Sequence, residues 1–172
     1  MIMAALACVT FITYLALLTS KSVSYLTIEE NKAYVGYVLF TLGVSEVATG
    51  QIFGYILDRG HIYGLRLLYM IHIIAVILIF LAYVSNSYWI FFLVAIVFGA
   101  ADCGSQTLIS VLLGSKFTQK FYPYSGYRFI YFNSLSFCLI LAMITNDNIL
   151  IILFIYTCII YYGYVTIDQM VA

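Results

Sequence analysis

The chain has 172 residues, 65% of them hydrophobic and 8% charged, with a mean hydropathy of +1.09. A soluble domain carries about 25% charged residues, so this composition excludes an ordinary water-soluble fold and points to a membrane protein. Seven Lys and Arg balance seven Asp and Glu, which leaves no basic surface to neutralise phosphates and excludes nucleic acid as a partner.

A bilayer-crossing helix needs about 20 mostly apolar residues. Six runs meet that length, at about residues 2–19, 33–57, 67–85, 88–113, 125–145 and 148–167. They are too long and continuous for strands, and a closed β-barrel would show shorter, alternating segments. The expectation is an all-α, polytopic membrane protein: one domain, residues 1–172, of six transmembrane helices with the lipid bilayer around it.

The first run opens at Met1-Ile2-Met3 with no charge before Lys21. It has neither the basic leader nor the small-residue cleavage site of a signal peptide. Two readings stand: an ordinary short first helix, or a chain that is part of a longer protein cut at a helix edge. In the second run Gly36, Gly43 and Gly50 recur every seven residues and Gly54 follows four later. At ~100° per residue these fall on one narrow stripe of minimal side chains, which lets helix backbones approach closely in a membrane. Glu46 lies on that stripe and so is expected to point into protein. An acid there is either functional, as intramembrane acids usually are, or protonated and hydrogen-bonded to a neighbour.

Residues Asp58 to Arg66 read as a short cytosolic loop. Gly54 gives room, Asp58 can contact a helix N-terminus and Arg59 can pair across an interface; an ordinary positive-inside turn would need only the arginines. His61 falls in this loop and is expected to be solvent-exposed, whereas His72, among isoleucines in the third run, reads as a packing residue. Two distant histidines assemble no metal site, and no cofactor is expected. In the fourth run Gly99, Asp102, Gln106 and Ser110 are spaced three, four and four apart, which aligns them on one helix face. An acid with an amide one turn away can hold a proton, a cation or a polar substrate, and it can equally lock two helices together. Glu46 and Asp102 are expected to share a polar interior or to face a partner subunit.

The fifth run begins with Tyr124, Tyr127 and Arg128. That arginine either snorkels to the surface or pairs with Asp58 or a deeper carboxylate. Cys8, Cys103, Cys138 and Cys158 fall in separate runs and read as small packing residues. Arg59, Arg66, Lys116, Lys120 and Arg128 collect on one side of the membrane; Lys21 and Lys32, offset by Glu29 and Glu30, lie on the other. The positive-inside rule puts the first side, and with it both termini, in the cytosol. No nucleophile–base–acid set, phosphate loop or dinucleotide fingerprint is present, so an enzyme is not expected.

The element Gly54-x-x-x-Asp58-Arg59, followed by Gly64-Leu65-Arg66, resembles the loop signature of the major facilitator superfamily. That signature normally continues with a glycine and two basic residues; here the Gly-Arg pair is displaced and one base is missing. Val35-Gly36-Tyr37-Val38, leading to Gly43-Val44-Ser45, resembles the eighth-helix motif of the Unc-ninety-three-like, ion-channel-regulator family. Phe98-Gly99-Ala100-Ala101-Asp102 with Gln106 resembles its tenth helix, and Tyr127-Arg128 the start of its eleventh. From about Leu6 to Asp168 the chain thus resembles the C-terminal, six-helix half of such a protein. The resemblance implies a two-half, twelve-helix fold with a central cavity, in which Asp102 and Gln106 are motif residues. It also implies a partner, either a second six-helix half or a second copy in a homodimer. The family includes channel regulators and trafficking chaperones, which implies a client membrane protein. Half of a facilitator-type transporter and a structural subunit of a larger membrane complex are the alternatives. Transporter sites form between repeats, so one half alone is not expected to transport.

Overall fold

A computed structural model of the chain describes residues 28–85, 87–118, 121–145, 157–158 and 161–166. The expected first span, most of the sixth, Lys21 and Lys120 lie outside the described residues. Among the described residues there are four long helices: α1 (Ile28–Arg59), α2 (His61–Ser85), α3 (Tyr88–Lys116) and α4 (Phe121–Thr145). Residues 161–166 are helical as well.

Within these helices Lys32–Arg59, His61–Ala82 and Trp89–Lys116 are long and apolar enough to cross a membrane. At 1.5 Å per residue α1, α2 and α3 are about 48, 38 and 44 Å long, against a hydrocarbon core of about 30 Å. Each therefore reaches into the headgroup layers. Glu29 and Glu30 sit in the first turn of α1 and Arg59 in its last, and Lys116 closes α3; each charge complements the helix dipole.

The helix boundaries differ from the polar breaks in the sequence. The expected loop from Asp58 to Arg66 shrinks to one residue, Gly60, because α1 runs through Arg59 and α2 starts at His61. Hydropathy locates the edge of the hydrocarbon, whereas the backbone hydrogen-bond ladder continues through polar residues until a residue breaks it. Gly60 breaks it, at φ +158°, a value to which a residue without Cβ is suited. His61 is accordingly half-buried at the start of a helix and not exposed in a loop. Likewise α4 starts at Phe121, before the apolar run begins. Pro123 falls in its first turn, where a missing N–H costs nothing.

Among the described helices α3 is central and packs on α1, α2 and α4. Towards one end Val38 and Leu42 of α1 meet Ala75, Ile79 and Ala82 of α2 and Phe91, Val94, Ala95 and Phe98 of α3. Towards the other, Phe53 and Leu57 of α1 pack with Leu65 and Leu68 of α2 and Leu108 of α3. Ile109 and Leu113 of α3 enclose Tyr127 of α4. This pairing makes α1 and α3 parallel and sets α2 and α4 against them. Arg59, His61, Arg66, Lys116 and Arg128 therefore gather at one end of the bundle, and Glu29, Glu30 and Lys32 at the other. The outer faces carry exposed Phe40, Val47, Ile77, Phe80, Trp89 and Leu93. Lipid tails are as apolar as these side chains, so exposing them there costs little and cohesion comes from fit and hydrogen bonds.

Candidate functional site: a carboxyl pair between α1 and α3

Small residues bring α1 and α3 together. A Cβ on Gly99 would lie 2.5 Å from the Leu42 carbonyl oxygen, 3.0 Å from Ser45 Cβ and 3.2 Å from the Glu46 nitrogen. One on Gly50 would meet Cys103 Sγ at 2.9 Å, and one on Gly104 the Phe53 ring at 2.8 Å. Ser45 Oγ donates to the Ile96 carbonyl across the same contact, at 2.6 Å. The glycine stripe of α1 is used only in part. Gly50 is in the contact, but Gly36, Gly43 and Gly54 have no described residue within 4 Å of a built Cβ. The residues that α1 approaches are glycines of α3. Sequence reasoning assigned Gly99 to a polar face and missed its packing role, missed Gly104 altogether, and quoted Ser45 in a motif without giving it a contact. The small residues clustered from Gly99 to Ser105 were the available signal.

Beside this contact the Glu46 and Asp102 carboxyl groups lie close to each other. Asp102 is 2% exposed, and its Oδ2 also accepts from Gln106 Nε2 at 3.0 Å. Glu46, Gln106 and Ser110 are half-buried. Glu46 is thirteen residues from Arg59 and fourteen from Lys32, about 20 Å from each end of the span at 1.5 Å per residue. Asp102 has the same standing between Trp89 and Lys116. Both acids thus sit near the middle of the membrane-crossing stretch. An ionised acid there costs about 2.5–3.5 kcal/mol, several times the roughly 0.6 kcal/mol of an average interhelical hydrogen bond in a membrane. An un-ionised acid avoids most of that cost, and the Gln106 amide meets part of the hydrogen-bonding need of Asp102. The same groups can take up a cation or exchange the proton when the helices part.

The other expected site residues are placed as follows. The Ser110 carbonyl accepts from the Tyr124 hydroxyl at 2.7 Å, which joins α3 to α4. The Arg59 guanidinium lies over the Tyr55 ring, 4.5 Å from its centroid, and bonds the Tyr55 hydroxyl. It is held by its own helix, one turn back. Asp58 and Arg66 are exposed, and Gly64 is buried with the Leu57 side chain against it. Gly64 thus lets the first turn of α2 pack closely on Leu57 just past the corner at Gly60. Arg128 is exposed, 5.8 Å from the Tyr127 ring centroid, near enough to its end of the bundle to snorkel outward. His72 is buried, with Nδ1 2.8 Å from the Leu68 carbonyl. Among the described residues no three His, Cys, Asp or Glu side chains gather as a metal site requires.

No protein-family model, no curated protein and no solved structure matches this chain.

Proposed function

We propose that the chain is a six-helix membrane domain of facilitator-like build that acts by binding other membrane proteins, as a regulator or trafficking partner of the Unc-ninety-three type. The observation that carries this reading is the cluster of Glu46, Asp102 and Gln106, in which the Gln106 amide donates to the Asp102 carboxylate and the Glu46 carboxyl lies close by. It sits where Gly99 brings the backbones of α1 and α3 into contact. Such a cluster holds a packed body together, and the function then lies on the outer faces. The end that carries Arg59, Arg66, Lys116 and Arg128 faces the cytosol. Affinity purification from membranes tests this reading. The double variant Glu46→Gln, Asp102→Asn keeps hydrogen-bonding groups at both positions and is expected to retain the same co-purifying membrane proteins as the parent chain. Loss of those partners in a variant that still folds and inserts would overturn it.

A second reading, half of a secondary transporter completed by a second half or a second copy, is favoured by one feature. Glu46, Gln106 and Ser110 are only half-buried, so the carboxyl pair has an accessible edge. On this reading vesicles containing the chain take up solute in response to a proton or cation gradient, and the same double variant abolishes uptake. A structural subunit of a larger complex would instead be recovered in fixed stoichiometry with its neighbours.

A further inference from the structure

One end of the bundle is built unlike the other. Arg59 closes α1, Lys116 closes α3, and Arg66 and Arg128 lie within two turns of the starts of α2 and α4. All four are exposed. At 1.5 Å per residue Arg66 and Arg128 sit about 8 and 10 Å below the helix ends, a depth that snorkelling arginines span. Exposed aromatic side chains accompany them: Tyr55, Tyr63, Phe117, Phe121 and Tyr122. Among the described residues the one carboxylate at this end is Asp58. Glu46 and Asp102 lie about 20 Å away along their helices. The opposite end carries Glu29 and Glu30 against Lys32.

We propose that the end formed by Arg59, Arg66, Lys116 and Arg128 is a binding surface for the headgroups of anionic phospholipids. The proposal rests on the reading that the chain spans a membrane. Guanidinium groups suit phosphate because they present paired donors in a plane. The aromatic rings suit the headgroup layer, where an apolar body and a polar tip are both satisfied. Stacking on Tyr55 holds the Arg59 guanidinium at the end of α1, so part of the ordering cost of binding is already met. Each basic residue near an anionic surface contributes an attraction worth about a five-fold change in partition. Four together distinguish an anionic from a zwitterionic leaflet by orders of magnitude at low salt, and screening weakens the effect as salt rises.

The test is lipid retention by the full chain purified in mild detergent and exchanged into mixed micelles of phosphatidylcholine with phosphatidylserine. The parent chain is expected to retain phosphatidylserine in preference, with the preference falling as salt is raised. Arg66→Gln alone is expected to reduce it about five-fold, and Arg59→Gln, Arg66→Gln, Lys116→Gln and Arg128→Gln together to abolish it. Lys32→Gln, at the opposite end, is expected to leave it unchanged. Equal retention of the two lipids by the parent chain would overturn the proposal. So would a preference that survives the fourfold variant, one lost equally in Lys32→Gln, or displacement of retained lipid by inorganic phosphate. A chain that stays in solution without detergent would instead overturn the membrane reading itself.

Discussion

At Gly99 the bundle tolerates nothing larger than hydrogen, because the atom in the way is a backbone oxygen, that of Leu42 at 2.5 Å. A side chain can rotate aside, but a carbonyl engaged in a helix cannot. Gly99→Leu is therefore expected to force α1 from α3 and to cost at least about 1–3 kcal/mol, read as a lower unfolding temperature in detergent. Gly36→Ala is the control: with no described neighbour within 4 Å, it is expected to be neutral or to stabilise by about 0.5–1 kcal/mol. If the two variants behaved alike, the close approach at Gly99 would be wrong. Asp102→Ala leaves the half-buried Gln106 amide without its acceptor and is expected to cost about 1–2 kcal/mol. Asp102→Asn, which keeps an oxygen to accept from that amide, is expected to cost much less in the same melt. Seven-residue spacing brought out the α1 glycines but could not say which of them has a neighbour, since that depends on the surface α1 meets. The polar face of α3 was legible because Gly99, Asp102, Gln106 and Ser110 repeat at helical spacing. Its contact with Glu46 was foreseen only as a shared interior, because sequence alone carries no register between two helices.

Among the elements, α1 lies chiefly on α3 and only lightly on α2, its neighbour in the chain. The long runs of Leu, Ile and Val in α2 advertise a span clearly but say nothing of partners, because in lipid every apolar face is equally acceptable. The small residues of α3 decide the matter by allowing backbone approach. This arrangement fixes a register that can be trapped chemically. A Cβ at position 50 would stand 2.9 Å from Cys103 Sγ, which is within reach of a disulfide. Gly50→Cys is expected to cross-link to Cys103 under mild oxidation, seen as a reduction-sensitive mobility change. Gly43→Cys, two turns away, is expected not to. A reversed result would move α1 along α3. The element boundaries were the least legible part. The apolar run of α1 stops at Leu57 and that of α4 starts near residue 125, yet both helices extend beyond them. Their end turns hold Asp58 and Arg59 in one case and Pro123 in the other, residues compatible with a helix but not with hydrocarbon.

For the whole molecule, composition and run length sufficed to read an all-helical chain with helices long and apolar enough to cross a membrane. The distribution of Lys and Arg sufficed to separate its two ends. Labelling from either side of sealed vesicles checks that separation. A cysteine replacing exposed Asp58 and one replacing exposed Lys32 are expected to react with an impermeant thiol reagent from opposite faces. Reaction of both from the same face would contradict the crossing of α1. The corner at Gly60 has a consequence for how such a chain is made. With a single residue between Arg59 and His61, α1 and α2 form a hairpin whose polar turn is only Asp58 to Arg66. Such a tight hairpin is expected to enter the translocation machinery as one unit. A nascent chain arrested once α1 alone has cleared the ribosome should remain in the channel, and one arrested once α2 has cleared it as well should have released both helices sideways together.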